Sequence, residues 1–377
     1  MKLYYLPLET YPERASALMS CRDGWVESCL KRHGIDFTRV EGEQIASTIG
    51  AGSVLDAQGR CHYATTQTAR LIKDWLPKLA DDDIIYVEDF FHPSVESLFY
   101  IRHLTGAKWK VATFCYAQSV DDTDFTYPMR EWMRPLETAY ARQYDFIFVC
   151  SPILKQLLLD AGVCNARRDN IHVTGLPFDI QCLNRQLVEM GAKTDWDEKE
   201  DFVLFSSRFD DEKDPMFFLD LVEKCKEIKF KIVSPYTTRP PSRNPAVMER
   251  LNRLLGKEGS NLELVHTPNK KAYYETLAKA RVQFNCALQD WVSWTLIEAS
   301  LFRCAPLYPK WKDFPAELDY DSRFLYERKN LEDAAEQLRW LMKGQPRSYP
   351  WVAEKHDKTW LRQLAIMGFD IGKRSRS

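Results

Sequence analysis

The stretch Gln289–Pro309, QDWVSWTLIEASLFRCAPLYP, holds an acidic residue, Asp290, eight positions before a second, Glu298. Glu298 falls in an apolar segment, Thr295–Phe302, whose length predicts a helix. Ala305–Tyr308 beyond it reads as a short strand, and Val282–Asn285 before it as another. Strand, turn, helix, strand is a βαβ unit, and such a crossover joins parallel strands.

The same alternation extends outward. Phe202–Phe205, Lys229–Val233 and Leu262–Val265 read as strands, separated by helices over Pro215–Cys225, Ala246–Leu255 and Lys271–Ala280. Leu331–Met342 is an amphipathic helix. The first half repeats the pattern. Its strands are Leu3–Leu8, Ile35–Val40, Ile84–Val87, Lys110–Tyr116, Phe146–Cys150 and Ile171–Thr174. Its helices are Gly24–His33, Thr66–Leu79, Val95–Leu104, Trp132–Ala141 and Ile153–Asp160. These strands are apolar runs without alternation, as in parallel sheets covered on both faces. Between the halves, Met190–Asp201 contains acidic TDWDEKED without an apolar period. The chain is therefore α/β, with Rossmann-like domains over 1–177 and 202–345 and a linker over 178–201. Residues 346–377 hold a helix over Pro350–Gly368 and a polar tail, GKRSRS. Ligands of such sheets bind beyond the carboxyl ends of the strands. No GxGxxG follows the first strand, which argues against a dinucleotide oxidoreductase.

Bulk properties narrow the class. The 377 residues carry a formal net charge of -2, so no global field favours nucleic acid or membrane. No apolar run approaches the roughly 20 residues of a membrane helix, and MKLYYLPLETYPER lacks the features of a secretion signal. Ten scattered cysteines without a CxxC pair read as thiols in a reducing compartment. A cytoplasmic protein is expected, in host cytoplasm if phage-encoded.

The Asp290-x7-Glu298 pattern resembles the acid-x7-Glu signature of glycosyltransferases of the GT-B fold. Phe202–Pro215, FVLFSSRFDDEKDP, resembles the strand, G-R-x4-K, helix segment of the same family. The resemblance implies two facing Rossmann-like domains with a C-terminal helix crossing back to the first. It implies that Arg208 and Lys213 hold the donor diphosphate and Glu298 the ribose hydroxyls. Fixed cations there stabilise the charge a nucleoside diphosphate gains as it leaves. Asp290, Ser293, Trp294 and Thr295 line the turn before the helix, and the resemblance implies that the loop of Thr267 and Pro268 contacts the nucleobase. The family's turn carries glycines, whereas this one has none; the hydroxyls of Ser293 and Thr295 are the candidate substitutes. Trp291 and Trp294 read as packing or as sugar platforms. A nucleotide-sugar co-substrate is expected, UDP-linked, with no tightly bound cofactor and no required metal.

Deprotonating or guiding an acceptor hydroxyl calls for a carboxylate or histidine at a strand end of the first domain. Asp89 and His92 in IIYVEDFFHP, and Asp121 and Asp122 after the fourth strand, are the catalytic candidates. Glu9, Arg14, Glu88 and Gln118 are the acceptor-side candidates. Asp122-Thr123-Asp124 matches a metal-binding D-x-D, a pattern too common to carry weight alone.

The acceptor stays open. Residues Val292–Leu341 are similar to family-4-type retaining glycosyltransferases and to bacteriophage DNA glucosyltransferases. That similarity implies a hexosyl- or pentosyltransferase acting on the hydroxymethylated base of modified double-stranded DNA, with basic clusters at Arg130–Arg134 and Arg239–Arg243 for phosphate contact. The alternatives are a glycan, polysaccharide or small-molecule acceptor, a GT-B-like epimerase, and a non-catalytic sugar-nucleotide-binding protein.

Overall fold

The computed structural model describes residues 1–9, 22–45, 56–116, 119–194, 199–235, 242–344 and 350–371. The chain forms two compact units, Met1–Cys182 joined by His356–Ser377, and Leu183–Lys355.

The first unit is built on six parallel strands: β1 (Leu3–Leu6), β2 (Phe37–Arg39), β3 (Ile84–Val87), β4 (Lys110–Cys115), β5 (Phe146–Val149) and β6 (Ile171–Val173). Their spatial order is β2-β1-β3-β4-β5-β6. Chain order therefore reverses once, between β1 and β3, where Leu3 pairs Ile84 and Leu6 pairs Val87. All four residues of β1 and of β3 are buried, which explains their unbroken apolar runs. The described helices here are α1 (Arg22–Arg32), α2 (Ala57–Arg70), α3 (Glu96–Thr105), α4 (Arg130–Ala141) and α5 (Pro152–Asp160). Helix α6 (Ile180–Glu189) then begins at the end of this unit.

The second unit holds β7 (Glu200–Phe205), β8 (Phe230–Ser234), β9 (Leu262–His266), β10 (Ala280–Phe284), β11 (Ala305–Pro309) and β12 (Leu325–Tyr326). These too are parallel, in the order β12-β11-β10-β7-β8-β9. The reversal lies between β7 and β10, where Val282 pairs Val203. Helices α7 (Pro215–Lys224), α8 (Pro245–Leu255), α9 (Lys270–Lys279), α10 (Trp294–Leu301), α11 (Phe314–Glu317) and α12 (Leu331–Lys343) flank the sheet. Three of the described helices start alike, with a capping oxygen followed by proline: Ser151-Pro152, Asp214-Pro215 and Asn244-Pro245. The side chain satisfies one otherwise unpaired amide, and proline has no N–H to satisfy.

The C-terminal segment belongs to the first unit from His356 on, and to the second up to Lys355. It is not one helix but two, α13 (Val352–His356) and α14 (Thr359–Met367), broken at Asp357-Lys358. Trp360 packs 4.9 Å from the Tyr86 ring and edge-on to Tyr5. The Tyr86 hydroxyl donates to Gln363 Oε1 at 2.9 Å, and Thr359 donates to the Thr174 carbonyl at 2.9 Å. The Leu176 amide donates to His356 Nδ1 at 3.0 Å. Gly175, at φ 85°, makes that approach possible, since a Cβ there would lie 2.7 Å from His356 Nδ1.

Other departures from expectation are local. Helix α2 starts at Ala57, nine residues before the predicted Thr66, and gives way to a wider π turn at Leu71–Trp75. The segment expected as linker contains α6 and the start of β7. Strand β12 and helix α11 are too short to show a period. Nine cysteines are described; all are free thiols and all but Cys61 are buried. No described helix is long and apolar enough to cross a membrane.

Candidate functional site

The carboxyl ends of β7 and β10 deliver two loops to the reversal point of the second sheet. The loop after β7 carries Arg208, Asp210, Glu212 and Lys213; the loop after β10 runs from Asn285 to Ser293. Backbone and side chains fasten the two together. The Leu288 amide donates to the Glu212 carbonyl at 2.9 Å, and the Cys286 thiol lies 3.3 Å from the Lys213 and Asp214 carbonyls. Lys213 Nζ pairs with Asp290 at 2.5 Å, and the Arg208 guanidinium spans Asp210 at 2.8 Å and Glu212. Burial raises the Asp210 carboxyl above its ordinary range, and Glu212 adds to the rise while Arg208 opposes it.

The loop after β11 braces the turn. Trp311 Nε1 donates to the Leu288 carbonyl at 2.8 Å, and Lys312 Nζ to the Gln289 carbonyl at 2.7 Å. Lys312 also lies 4.3 Å from the ring centre of Trp291, which is buried beneath it. Trp311 and Lys312 were not among the residues picked from sequence. No residue of Asn285–Ser293 has a positive φ, so the turn needs no glycine for its backbone; the left-handed residues beside it are Asp214 and Lys312. Of these, Asp214 falls directly after Lys213.

Helix α10 opens on this turn. Its N-cap, Ser293, makes no side-chain cap; Ser293 Oγ meets Thr295 Oγ1 at 2.7 Å, and Thr295 meets the Tyr308 hydroxyl at 3.2 Å. Trp294 is half-buried in the first turn. Glu298, one turn further on, is buried and accepts the Tyr273 hydroxyl at 2.7 Å and the Tyr274 hydroxyl at 3.1 Å. Both carboxylate oxygens thus have protein donors, which the ribose role implied by resemblance did not foresee. Thr267 is buried and its amide donates to the Ser234 carbonyl at 2.8 Å, while Pro268 and His266 are exposed. His266 ends β9 and Thr267 and Pro268 follow it, at the sheet edge, two strands from the reversal point.

The first sheet brings a different set together at its reversal. Glu9 follows β1, and Glu88, Asp89 and His92 follow β3. Arg60 of α2 reaches between them, donating to Glu9 Oε2 at 3.0 Å and to Asp89 Oδ2. Gln67, seven residues further along α2, donates both amide hydrogens, to the Pro7 carbonyl at 3.0 Å and the Val40 carbonyl at 2.8 Å. Its oxygen therefore faces His92 Nε2 at 2.8 Å, which fixes the His92 proton on Nε2. Burial, with Arg60 adding to it, pushes the His92 imidazole down to about 3, so it stays neutral and is a poor proton acceptor. Glu88 is fully enclosed, receives the Tyr116 hydroxyl at 3.3 Å, and is pushed well above the usual carboxyl range by burial. Arg60 and Gln67 were missed from sequence, although a seven-residue spacing puts both on one helix face.

The remaining candidates stand elsewhere. Asp121 accepts the Thr123 amide and hydroxyl at 3.0 and 2.7 Å, and Asp124 those of Thr126 at 2.8 and 2.7 Å. These are side-chain turns within one loop; Asp122 is exposed. Among the described residues no group of three His, Cys, Asp or Glu is placed to hold a metal ion. Arg14 and Gln118 lie outside the described residues. Arg130 stacks 4.4 Å from the Tyr127 ring centre and Arg134 donates to the Ser119 carbonyl at 3.3 Å. Arg239 lies outside the described residues.

No protein-family model and no curated protein matches the sequence. Solved structures do match in shape over nearly the whole chain. A UDP-forming α,α-trehalose-phosphate synthase from Burkholderia xenovorans, in complex with glucose-6-phosphate, superposes with a TM-score of 0.66 at 12% identity, covering 98% of this chain and 100% of that one. The sucrose-phosphate synthase of Thermosynechococcus elongatus gives 0.62 at 11% identity, covering 97% and 96%. Anabaena HepE in complex with UDP gives 0.57 at 12% identity, covering 97% and 99%. At such identities the likeness is one of fold: the chain has the GT-B fold that its sequence motifs implied.

Proposed function

We propose that this protein is a glycosyltransferase that moves a sugar from a nucleotide-sugar, UDP-linked in the first instance, to a hydroxyl acceptor. The observation that carries the reading is the convergence of Arg208, Lys213 and the N-terminus of α10 beyond the carboxyl ends of β7 and β10, at the one reversal of that sheet. Ligands of doubly wound sheets bind at such points. A helix start that its own Ser293 does not cap is suited to an anion. Arg208 presents a planar fork to phosphate oxygens and Lys213 a compact charge.

In the reaction the bond from the anomeric carbon to the diphosphate oxygen breaks, and its electron pair leaves with the diphosphate. Arg208, Lys213 and the helix N-terminus stabilise that charge. A new bond forms from the acceptor oxygen to the anomeric carbon, and the acceptor's proton passes to an oxygen of the departing diphosphate and on to water. We assign acceptor binding to the first-domain cluster, with Asp89, partly accessible and braced by Arg60, as the hydrogen-bond acceptor for the incoming hydroxyl. His92 then acts by holding shape. The structural neighbours named above favour UDP as the nucleotide and a sugar or sugar phosphate as the first acceptors to try. Modified DNA, the acceptor expected from sequence, draws no support from the local contacts of Arg130 and Arg134.

The test is nucleoside diphosphate release from a panel of nucleotide-sugars, with sugars, sugar phosphates and hydroxymethylated DNA as acceptors. Acceptor-stimulated release that falls by about a hundredfold or more in Arg208→Ala is the expected result. Unchanged turnover in that variant overturns the assignment. Sugar epimer released without acceptor points to the epimerase reading instead.

A further inference from the structure

Each cation of the donor site is held between two carboxylates. Arg208 lies between Asp210 and Glu212, and Lys213 between Glu212, at 3.7 Å, and Asp290, at 2.5 Å. Both cations are thus already engaged by carboxylates, with Arg243 a further cation acting on Asp210. A diphosphate oxygen reaches Lys213 only if a carboxylate gives up its place there. Asp210 and Glu212 share the short loop of the two cations, and the Glu212 carbonyl is tied to the Leu288 amide. Asp290 comes from the other loop, 77 residues away in sequence. The carbonyls of Leu288 and Gln289 before it are pinned by Trp311 and Lys312. Its backbone is thereby held, so rotation of its side chain is the cheapest way to uncover Lys213. The pair is partly accessible, with the Lys213 side chain 12% and the Asp290 side chain 21% exposed. The pair is about as enclosed as Arg60–Asp89, so its opening has a cost, which is offset when a phosphate oxygen takes the place of Asp290 on Lys213 and the Asp290 carboxylate turns to water.

We propose that Asp290 occupies on Lys213 the place of a donor phosphate oxygen, and that it sets nucleotide affinity by competing for that lysine. The inference rests on the donor-site reading above and deepens it: the first acid of the acid-x7-Glu pattern acts as an internal competitor. Asp290→Asn keeps the shape and removes the competing charge, so nucleoside diphosphate binding tightens although one polar ligand of the site is altered.

The experiment is calorimetric titration of UDP, then of other nucleoside diphosphates, into wild type, Asp290→Asn, Lys213→Met and the double variant. Thermal unfolding of each free protein checks the fold, and Asp290→Ser provides a second uncharged replacement. Tightening of about three- to tenfold in Asp290→Asn, collapsing to within about twofold when Lys213 is already methionine, is the expected result. No tightening overturns the competition, and so does equal tightening without Lys213. If no nucleoside diphosphate binds wild type or Asp290→Asn, the donor-site reading itself fails.

Discussion

The two sheets reverse chain order once each, and each reversal gathers an arginine between carboxylates. The resemblance ends there. In the second unit Arg208 is 46% exposed and its partners share its own loop. In the first, Arg60 is 10% exposed, projects from a helix, and joins Glu9 and Asp89 from two different strand ends. Beside it, Gln67 and His92 form a second buried pair. A half-exposed ion pair can exchange one partner for a ligand at little cost, because water compensates both charges during the exchange. A buried one cannot, since each freed charge is stranded in a poorly polarisable interior. By exposure, the Arg208 contacts are the ones suited to exchange, whereas Lys213, 12% exposed, is enclosed much as Arg60 is, and the first cluster is a frame whose accessible edge is Asp89.

The largest effect that tests this contrast is Arg60→Ala. It leaves Glu9 and Asp89 without their shared cation, and the loss of one partner of a buried ion pair costs about 3–5 kcal/mol. Urea unfolding should show a clearly lower midpoint. A loss below about 1 kcal/mol would mean that the cluster is as exchangeable as the one around Arg208.

A second test uses pH. His92 titrates near 3 in the folded chain against 6.5 ordinarily. Between those values the unfolded chain binds more protons, so His92 contributes stability at neutral pH that is lost as pH falls from about 6.5 toward 3. The slope from this group is at most about 1.4 kcal/mol per pH unit. Glu88 acts in the opposite sense. Its folded value is raised, so its contribution is fully present below the unfolded value of 4.5 and declines as pH rises through the folded one. His92→Gln should flatten the acid limb of the stability profile, and Glu88→Gln should gain relative stability at pH 8. Unfolding midpoints across pH 4–8 that superpose for all three proteins would show that neither group is held in its neutral form.

These contrasts also mark what the sequence revealed. Both sheets were readable because parallel strands enclosed on both faces appear as unbroken apolar runs, Ile84–Val87 and Phe202–Phe205 among them. The acid-x7-Glu spacing and the Arg208–Lys213 loop were readable as local patterns. What stayed hidden was tertiary. The buried face of α2 carries Arg60 and Gln67, which invert the apolar stripe that marks a helix, and its first turn contains Gly59. The surroundings of Glu298 come from Tyr273 and Tyr274, on a helix about two dozen residues upstream. Helix α6 did have a signal, Leu183 and Leu187 one turn apart and both buried, but the acidic stretch after it drew the whole segment into a linker.

The smallest expected effect is the stability cost of Arg208→Ala, and it is the one that most sharpens the contrast. Removing Arg208 leaves Asp210 and Glu212 without their nearest cation, which by itself disfavours the folded chain. Three things limit the loss. Lys213 remains 3.7 Å from Glu212. Asp210 still feels Lys213 and Arg243, and burial already raises its carboxyl, so it can take a proton at moderate cost. Arg208 itself is nearly half in solvent, where its interactions are screened. The change in unfolding free energy should stay within about 1 kcal/mol, while donor turnover falls by about a hundredfold or more. A protein that loses activity and several kcal/mol together would place Arg208 in the framework beside Arg60. One that keeps its stability and loses turnover would separate the two reversal points as substrate-exchanging and fixed.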